Sequence, residues 1–195
     1  MIEDEGYLAE QHFVETKDGY ILGLYRVVNE SSASKPNKKV IFMMHGLFAS
    51  APSYLAMGKN RSAGFYFADR GYDVWLGNAR GNTFSRNHTT LDPNWDQQFW
   101  EFTWHEIGVY DLPAMIDFIL EKTNQSQLSY VGHSQGTTSA FVMLSTLPEY
   151  NDKIKVLHGM TFPIIFKYNS PIFVRSFLEE VGRDIPIVEV SLMLK

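Results

Sequence analysis

Leu128-Ser129-Tyr130-Val131-Gly132-His133-Ser134-Gln135-Gly136 decides the fold, together with the segment Thr137 to Leu147 that follows it. Leu128 to Val131 has strand character, and the apolar spacing of Thr137 to Leu147 is that of a buried helix. Gly132, Ser134 and Gly136 between them make a Gly-x-Ser-x-Gly pattern. A strand, a sharp turn and a helix in that order raise the serine hydroxyl above the sheet and press neighbouring backbone against it, which only a residue without Cβ permits on both sides. Ser134 is therefore the candidate nucleophile, with Gly132 and Gly136 as the residues that let the turn close.

The pattern is short enough to arise by chance, so a second signal matters. His45-Gly46-Leu47 follows the strand-like run Lys39-Val40-Ile41-Phe42-Met43-Met44. A His-Gly pair at the end of an earlier strand is placed to supply a backbone N–H to a negatively charged oxygen, the other coming from the residue after the nucleophile. Leu47 and Gln135 are thus the candidate oxyanion donors, acting through their backbone.

Composition narrows the class. The 195 residues are 45% hydrophobic and 20% charged, which suits one domain with a sizeable core. A net charge of -5 leaves no basic footprint for nucleic acid. The chain has no cysteine, which excludes disulfides, a thiolate nucleophile and cysteine-based metal sites within it. No metal site or cofactor is expected: His105-Glu106 is followed by Val109 where a zincin needs its second histidine. Met1 to Gly6 is acidic and lacks an apolar core, so no signal peptide is read in this sequence, and no run is long enough for a transmembrane span. Four Asn-x-Ser/Thr sequons, at Asn29, Asn60, Asn87 and Asn124, are possible glycosylation sites.

Gln11 to Thr16 and Tyr20 to Val28 read as a β-hairpin turned by Lys17-Asp18-Gly19. Asn29 to Lys39 reads as a surface loop, and Val40 to Met44 as a strand covered on both faces. Ala63 to Arg70 is a short helix with Ser62 as N-cap and Gly71 after its end. Tyr72 to Leu76 is the next buried strand, and it empties into the loop Gly77 to Thr83, where Arg80 is expected to tie loop backbone together. The aromatic stretch Trp95 to Trp104 is expected to pack beneath a long loop. Thr103 and Glu106 form a capping box opening a helix to about Lys122, which Pro113 must kink or restart near Asp111 or Leu112. Ile154 to His158 is a further strand. Strands alternating with helices predict an α/β fold with a mostly parallel sheet.

The words His45-Gly46-Leu47-Phe48-Ala49-Ser50, Gly71 to Asn78 with Arg80-Gly81-Asn82-Thr83, Tyr110-Asp111-Leu112-Pro113-Ala114 and Gly132-His133-Ser134-Gln135-Gly136-Thr137 resemble the acid lipase family. That family includes gastric and lysosomal acid lipases and insect relatives. The resemblance is colinear over about residues 5 to 158 and implies an α/β-hydrolase fold with flanking helices. It implies hydrolysis of neutral lipid esters, triacylglycerols or sterol esters, at a lipid-water interface, by secreted or lysosomal enzymes. Residues 5–158 would be the N-terminal part of the hydrolase core and 159–195 the start of a cap or lid. In that cap Ser170-Pro171 opens a helix whose apolar face is Phe173, Val174, Phe177, Leu178 and Val181.

A serine hydroxyl needs a histidine to take its proton and a carboxylate to hold that histidine. In this fold both follow the nucleophile in chain order, on loops after later strands. After Ser134 the sequence has His158 alone, at the end of the very next strand, too early for the base. The sequence therefore reads as the N-terminal half of a lipase, truncated before the last strands and inactive by itself; the alternative is a catalytically dead lipid-binding or remnant protein. Oligomeric state is not legible.

Overall fold

The computed structural model describes residues 1–30 and 38–161. Six strands form one sheet: β1 (Leu8–Glu15), β2 (Ile21–Val28), β3 (Val40–Met44), β4 (Asp73–Gly77), β5 (Leu128–His133) and β6 (Ile154–Met160). Their order is β1-β2-β4-β3-β5-β6. The β1–β2 and β2–β4 pairs are antiparallel, while β4, β3, β5 and β6 run parallel. Helices α1 (Ala63–Asp69), α2 (Leu112–Thr123) and α3 (Gln135–Thr146) lie in the connections between the parallel strands, as a parallel crossover requires.

The unalternating apolar run of β3 has its reason in two cores. Successive side chains leave a strand on opposite faces. Val40, Phe42 and Met44 enter one core with Trp75, Tyr130 and residues of α2 and α3, whereas Ile41 and Met43 enter the other with Val74, Leu76, Val131 and Phe65 and Ala68 of α1. With a core on each side, all five residues of β3 are buried.

Several boundaries differ from expectation. β1 begins at Leu8 rather than Gln11, because its backbone pairs with β2 as far as Val28 whatever its side chains are. Tyr20 precedes β2 and makes an isolated bridge to His88. β4 is shifted by one residue, and β6 runs through Gly159 and Met160, beyond the boundary placed at 158. Ser62 occupies the N-cap of α1, but its side chain makes no capping bond and its buried hydroxyl lacks a partner among the described residues. Residues 31–37 of the expected Asn29–Lys39 loop lie outside the described residues, as do Ser170-Pro171 and the apolar face from Phe173 to Val181.

The Thr103–Glu106 capping box is present, on a helical turn at Trp104–Glu106. A π-helical segment, Ile107–Asp111, then joins it to α2. Pro113 sits in the first turn of α2, where no N–H is needed, so the restart at Leu112 follows the sequence while the π segment does not. The aromatic stretch divides: Phe99, Trp100 and Phe102 are buried as expected, but Trp95 is 86% exposed. No helix among the described residues is long and apolar enough to cross a membrane.

Candidate active site

β5 ends at His133 and α3 begins at Gln135, leaving Ser134 alone at the turn with φ 50° and ψ −116°. This is a conformation that non-glycine residues rarely adopt, and it persists only where the surroundings impose it. The constraints are local. Ser134 N–H donates to the Met160 carbonyl at 2.9 Å, and its own carbonyl accepts from Thr137 N at 2.9 Å and Thr138 N at 3.1 Å. Thr137 Oγ1 donates to the Gly132 carbonyl at 2.8 Å, and the buried Tyr130 hydroxyl donates to that of Gly136 at 2.7 Å. Each elbow glycine is held by a side-chain hydroxyl.

Both glycines are sterically required. A Cβ on Gly132 would stand 2.7 Å from Thr137 N, and one on Gly136 would stand 2.4 Å from the Met44 carbonyl oxygen at the end of β3. The turn is thus pressed against the segment that carries His45-Gly46-Leu47. A Cβ on Gly46 would lie 3.0 Å from that of Ser134 and 2.9 Å from His133 Nδ1. The structure therefore brings Ser134, Gln135, Gly132, Gly136 and the strand end before Leu47 together at the carboxyl edge of β3 and β5.

Ser134 is half-buried, and its hydroxyl has no hydrogen-bond partner among the described residues; nor do the backbone N–H groups of Leu47 and Gln135. Leu47 and Gln135 both line a cavity of about 320 Å³, walled also by Phe48, Phe102 and Ile107. The cavity stops short of Ser134 itself. Apolar side chains beside amide N–H groups without acceptors are what an ester, with its hydrocarbon and its carbonyl oxygen, would require.

His45 is positioned rather than reactive. Ala79 N–H can only donate, so His45 Nε2 accepts from it at 3.1 Å and the proton sits on Nδ1, which donates to the Gly46 carbonyl at 2.7 Å. Burial lowers its pKa to about 4. Asn82 reaches the same Nε2 and also Asn78, which accepts from Ala51 N and donates to the Gly23 carbonyl. This network fixes the loops around the cavity. Nothing in the sequence marks His45 for this role, which only its neighbours in space explain.

Arg80 ties structure together, as expected, but through side chains more than backbone. It is wholly buried, pairs with Asp111 in the π segment (Nε to Oδ1, 2.7 Å) and with Asp18 in the hairpin turn (2.6 and 2.9 Å), and stacks 3.9 Å from the Tyr20 ring centroid. Burial pushes the Asp111 carboxyl up to about 6, against the pull of Arg80. Burial also opposes ionisation of Asp18, yet hydrogen bonds from Arg80 and Thr16 outweigh it and hold that carboxyl below its usual range. Among the sequons, Asn60, Asn87 and Asn124 are exposed, Asn124 as the left-handed residue after α2. Asn29 is half-buried and donates to Asp69 at 3.0 Å.

Comparison with known proteins bears on the fold and the family. The model of the α/β-hydrolase fold matches residues 39–177, and that of a partial α/β-hydrolase lipase region matches residues 1–58. Lipase 1 of Drosophila melanogaster is 52% identical over 160 residues, covering 82% of this chain. The chain belongs to the α/β-hydrolase lipase family. Two further relatives in that family are gastric triacylglycerol lipase of Bos taurus, 44% identical over 89% of the chain, and lysosomal acid lipase/cholesteryl ester hydrolase of Macaca fascicularis, 44% identical over 91%. The chain spans 35% of the length of the first relative and 44% of each of the other two. Among solved structures, an epoxide hydrolase from Vigna radiata has a TM-score of 0.56 at 18% identity, covering 94% of this chain and 48% of its own. An esterase from Pyrococcus furiosus also has 0.56, at 17% identity, covering 80% and 53%. These two bear on the fold alone.

A serine acting as a nucleophile needs a base beside it. Among the described residues, His133 is exposed with its Nδ1 against Gly46, and His158 is exposed within β6, paired opposite Val131. Neither ring is hydrogen-bonded to Ser134.

Proposed function

We propose that Ser134 is the nucleophile of a serine ester hydrolase acting on neutral lipid esters, triacylglycerols or sterol esters, in lipid breakdown. The observation that carries this reading is the strained serine at φ 50° packed against Gly46, between Gln135 and the Gly46-Leu47 turn, with the N–H groups of Leu47 and Gln135 lacking an acceptor among the described residues. The names of the relatives, a triacylglycerol lipase and a cholesteryl ester hydrolase, support the substrate class.

In this scheme Ser134 Oγ attacks the ester carbonyl carbon, and its proton passes to a base. Negative charge moves to the carbonyl oxygen, where Leu47 and Gln135 N–H receive it; one such donor is worth about a hundred- to a thousandfold in rate. Collapse of the intermediate expels the alcohol and leaves an acyl-Ser134 ester, which water then cleaves by the same route in reverse. No cofactor takes part. The base and its carboxylate, by the chain order of this fold, come from residues after those described. The activity is accordingly a property of the protein once that pair is in place, and residues 1–195 alone are expected to be inactive. Its place of action, by the relatives' names, is outside the cell or in the lysosome.

The test is the intact protein with a short-chain p-nitrophenyl ester and a fluorophosphonate label. Turnover is expected, and Ser134→Ala should lower it by about 10⁴-fold or more and remove the label. Turnover unchanged by Ser134→Ala would refute the assignment. Lipid binding with no label on Ser134 would favour a dead lipid-binding protein instead.

A further inference from the structure

Trp95 is exposed to 86%, more than any other large apolar side chain among the described residues. A loose loop would explain that, but the loop is ordered by its own hydrogen bonds. Asp92 Oδ1 accepts from Asn94 N at 2.7 Å, Asp96 Oδ2 accepts from Asp92 N at 2.7 Å, and the Asp92 carbonyl accepts from Trp95 N at 3.2 Å and Asp96 N at 2.8 Å. Behind it, buried Trp100 donates its indole N–H to the Pro93 carbonyl at 2.9 Å. The indole of Trp95 is therefore held outward on a tip whose ordering entropy has already been spent, which is the condition for tight engagement by a small contact.

The tip adjoins the candidate site. Arg86 lines the same cavity as Leu47 and Gln135, donates to Asn94 Oδ1 at 3.4 Å and lies 5.3 Å from the Trp100 ring centroid. Trp95 thus stands one side chain away from the cavity wall. Apart from Arg86, its charge surroundings along the chain are acidic: from Asn87 to Glu121 the sequence has no lysine or arginine, while Asp92 and Asp96 flank Trp95 and Glu101 follows. An indole favours the boundary between hydrocarbon and water, where its apolar body and N–H are both satisfied. Carboxylates beside it repel an anionic surface and are indifferent to an uncharged one.

We propose that Trp95 is an interfacial anchor that seats the cavity mouth on an uncharged ester-lipid surface. This rests on the lipase reading for its biological sense, but its test does not depend on turnover. The intact protein carrying Ser134→Ala is mixed with a triolein emulsion stabilised by phosphatidylcholine, and bound and free protein are separated by flotation. Adding Trp95→Ala should weaken partitioning about tenfold, Trp95→Phe should keep most of it, and Phe13→Ala, which removes a 63% exposed aromatic from β1, should leave it unchanged. Replacing a quarter of the phosphatidylcholine with phosphatidylglycerol should weaken binding at low salt. Equal partitioning with and without Trp95, no partitioning at all, or tighter binding to the anionic emulsion would each overturn the anchor. A fluorophosphonate label on the protein with Ser134 intact, with no Trp95 effect on partitioning, defeats the anchor alone; Trp95-dependent partitioning with no such label defeats the esterase reading alone.

Discussion

At φ 50° and ψ −116° the Cβ of Ser134 crowds its own backbone, a state that costs of order 1–3 kcal/mol and is sustained by the clamp from Thr137, Tyr130 and Met160. A residue with no Cβ would relax that strain without disturbing any of those bonds. Ser134→Gly should therefore raise the unfolding free energy by about 1 kcal/mol, moving the thermal midpoint up by roughly 2–4 °C, while eliminating the hydroxyl proposed as nucleophile. Thermal denaturation followed by circular dichroism reads this directly, and a lowered midpoint would mean the elbow is not strained. The serine and its two glycines were legible in the sequence because a turn this tight can be built from few residue types, and those types show. The hydroxyls of Thr137 and Tyr130 were not, since a side chain reaching a backbone carbonyl leaves no periodic mark.

Among the elements, the π segment Ile107–Asp111 does two things at once: it puts Ile107 on the cavity wall and Asp111 under Arg80. The sequence displays the proline that restarts the helix at Leu112 but nothing that distinguishes a π turn from an α turn, so Asp111 reads there only as a helix start. Its value appears with the fold. Asp111 and Arg80 are both wholly buried, and Asp18 completes the cluster from the hairpin turn. Arg80→Met would leave one buried and one half-buried carboxylate without a counter-charge, and removal of one partner from a buried pair typically costs about 3–5 kcal/mol. Urea denaturation should show that loss, and Arg80→Met with Asp111→Leu should recover part of it, because the second change removes the orphaned charge. A single variant as stable as the parent would show that the cluster does not hold these three segments together.

For the whole molecule, the alternation of strands and helices announced a parallel sheet, but no sequence feature announced its order, in which β4 separates β2 from β3. That order depends on which faces find partners, and it is what gathers the ends of β3, β4 and β5 around His45. His45 is the point at which this packing couples to pH. Burial lowers its folded-state pKa to about 4, from 6.5 in the unfolded chain, so on acidification the unfolded chain takes up the proton first. Its contribution is complete above about pH 6.5 and is lost as pH falls through about 4. Asp111 tilts the other way: pushed up to about 6, it contributes fully below about 3.8 and loses that contribution as pH rises through 6. Between about pH 4 and 6 the slopes of these two groups oppose each other. His45→Asn removes only one of them. The difference in unfolding free energy between pH 6.5 and pH 4 should then be about 3 kcal/mol larger for the parent than for the variant. Urea titrations at the two pH values measure it, and parallel pH profiles for the two proteins would show that the ring is not held neutral by the fold.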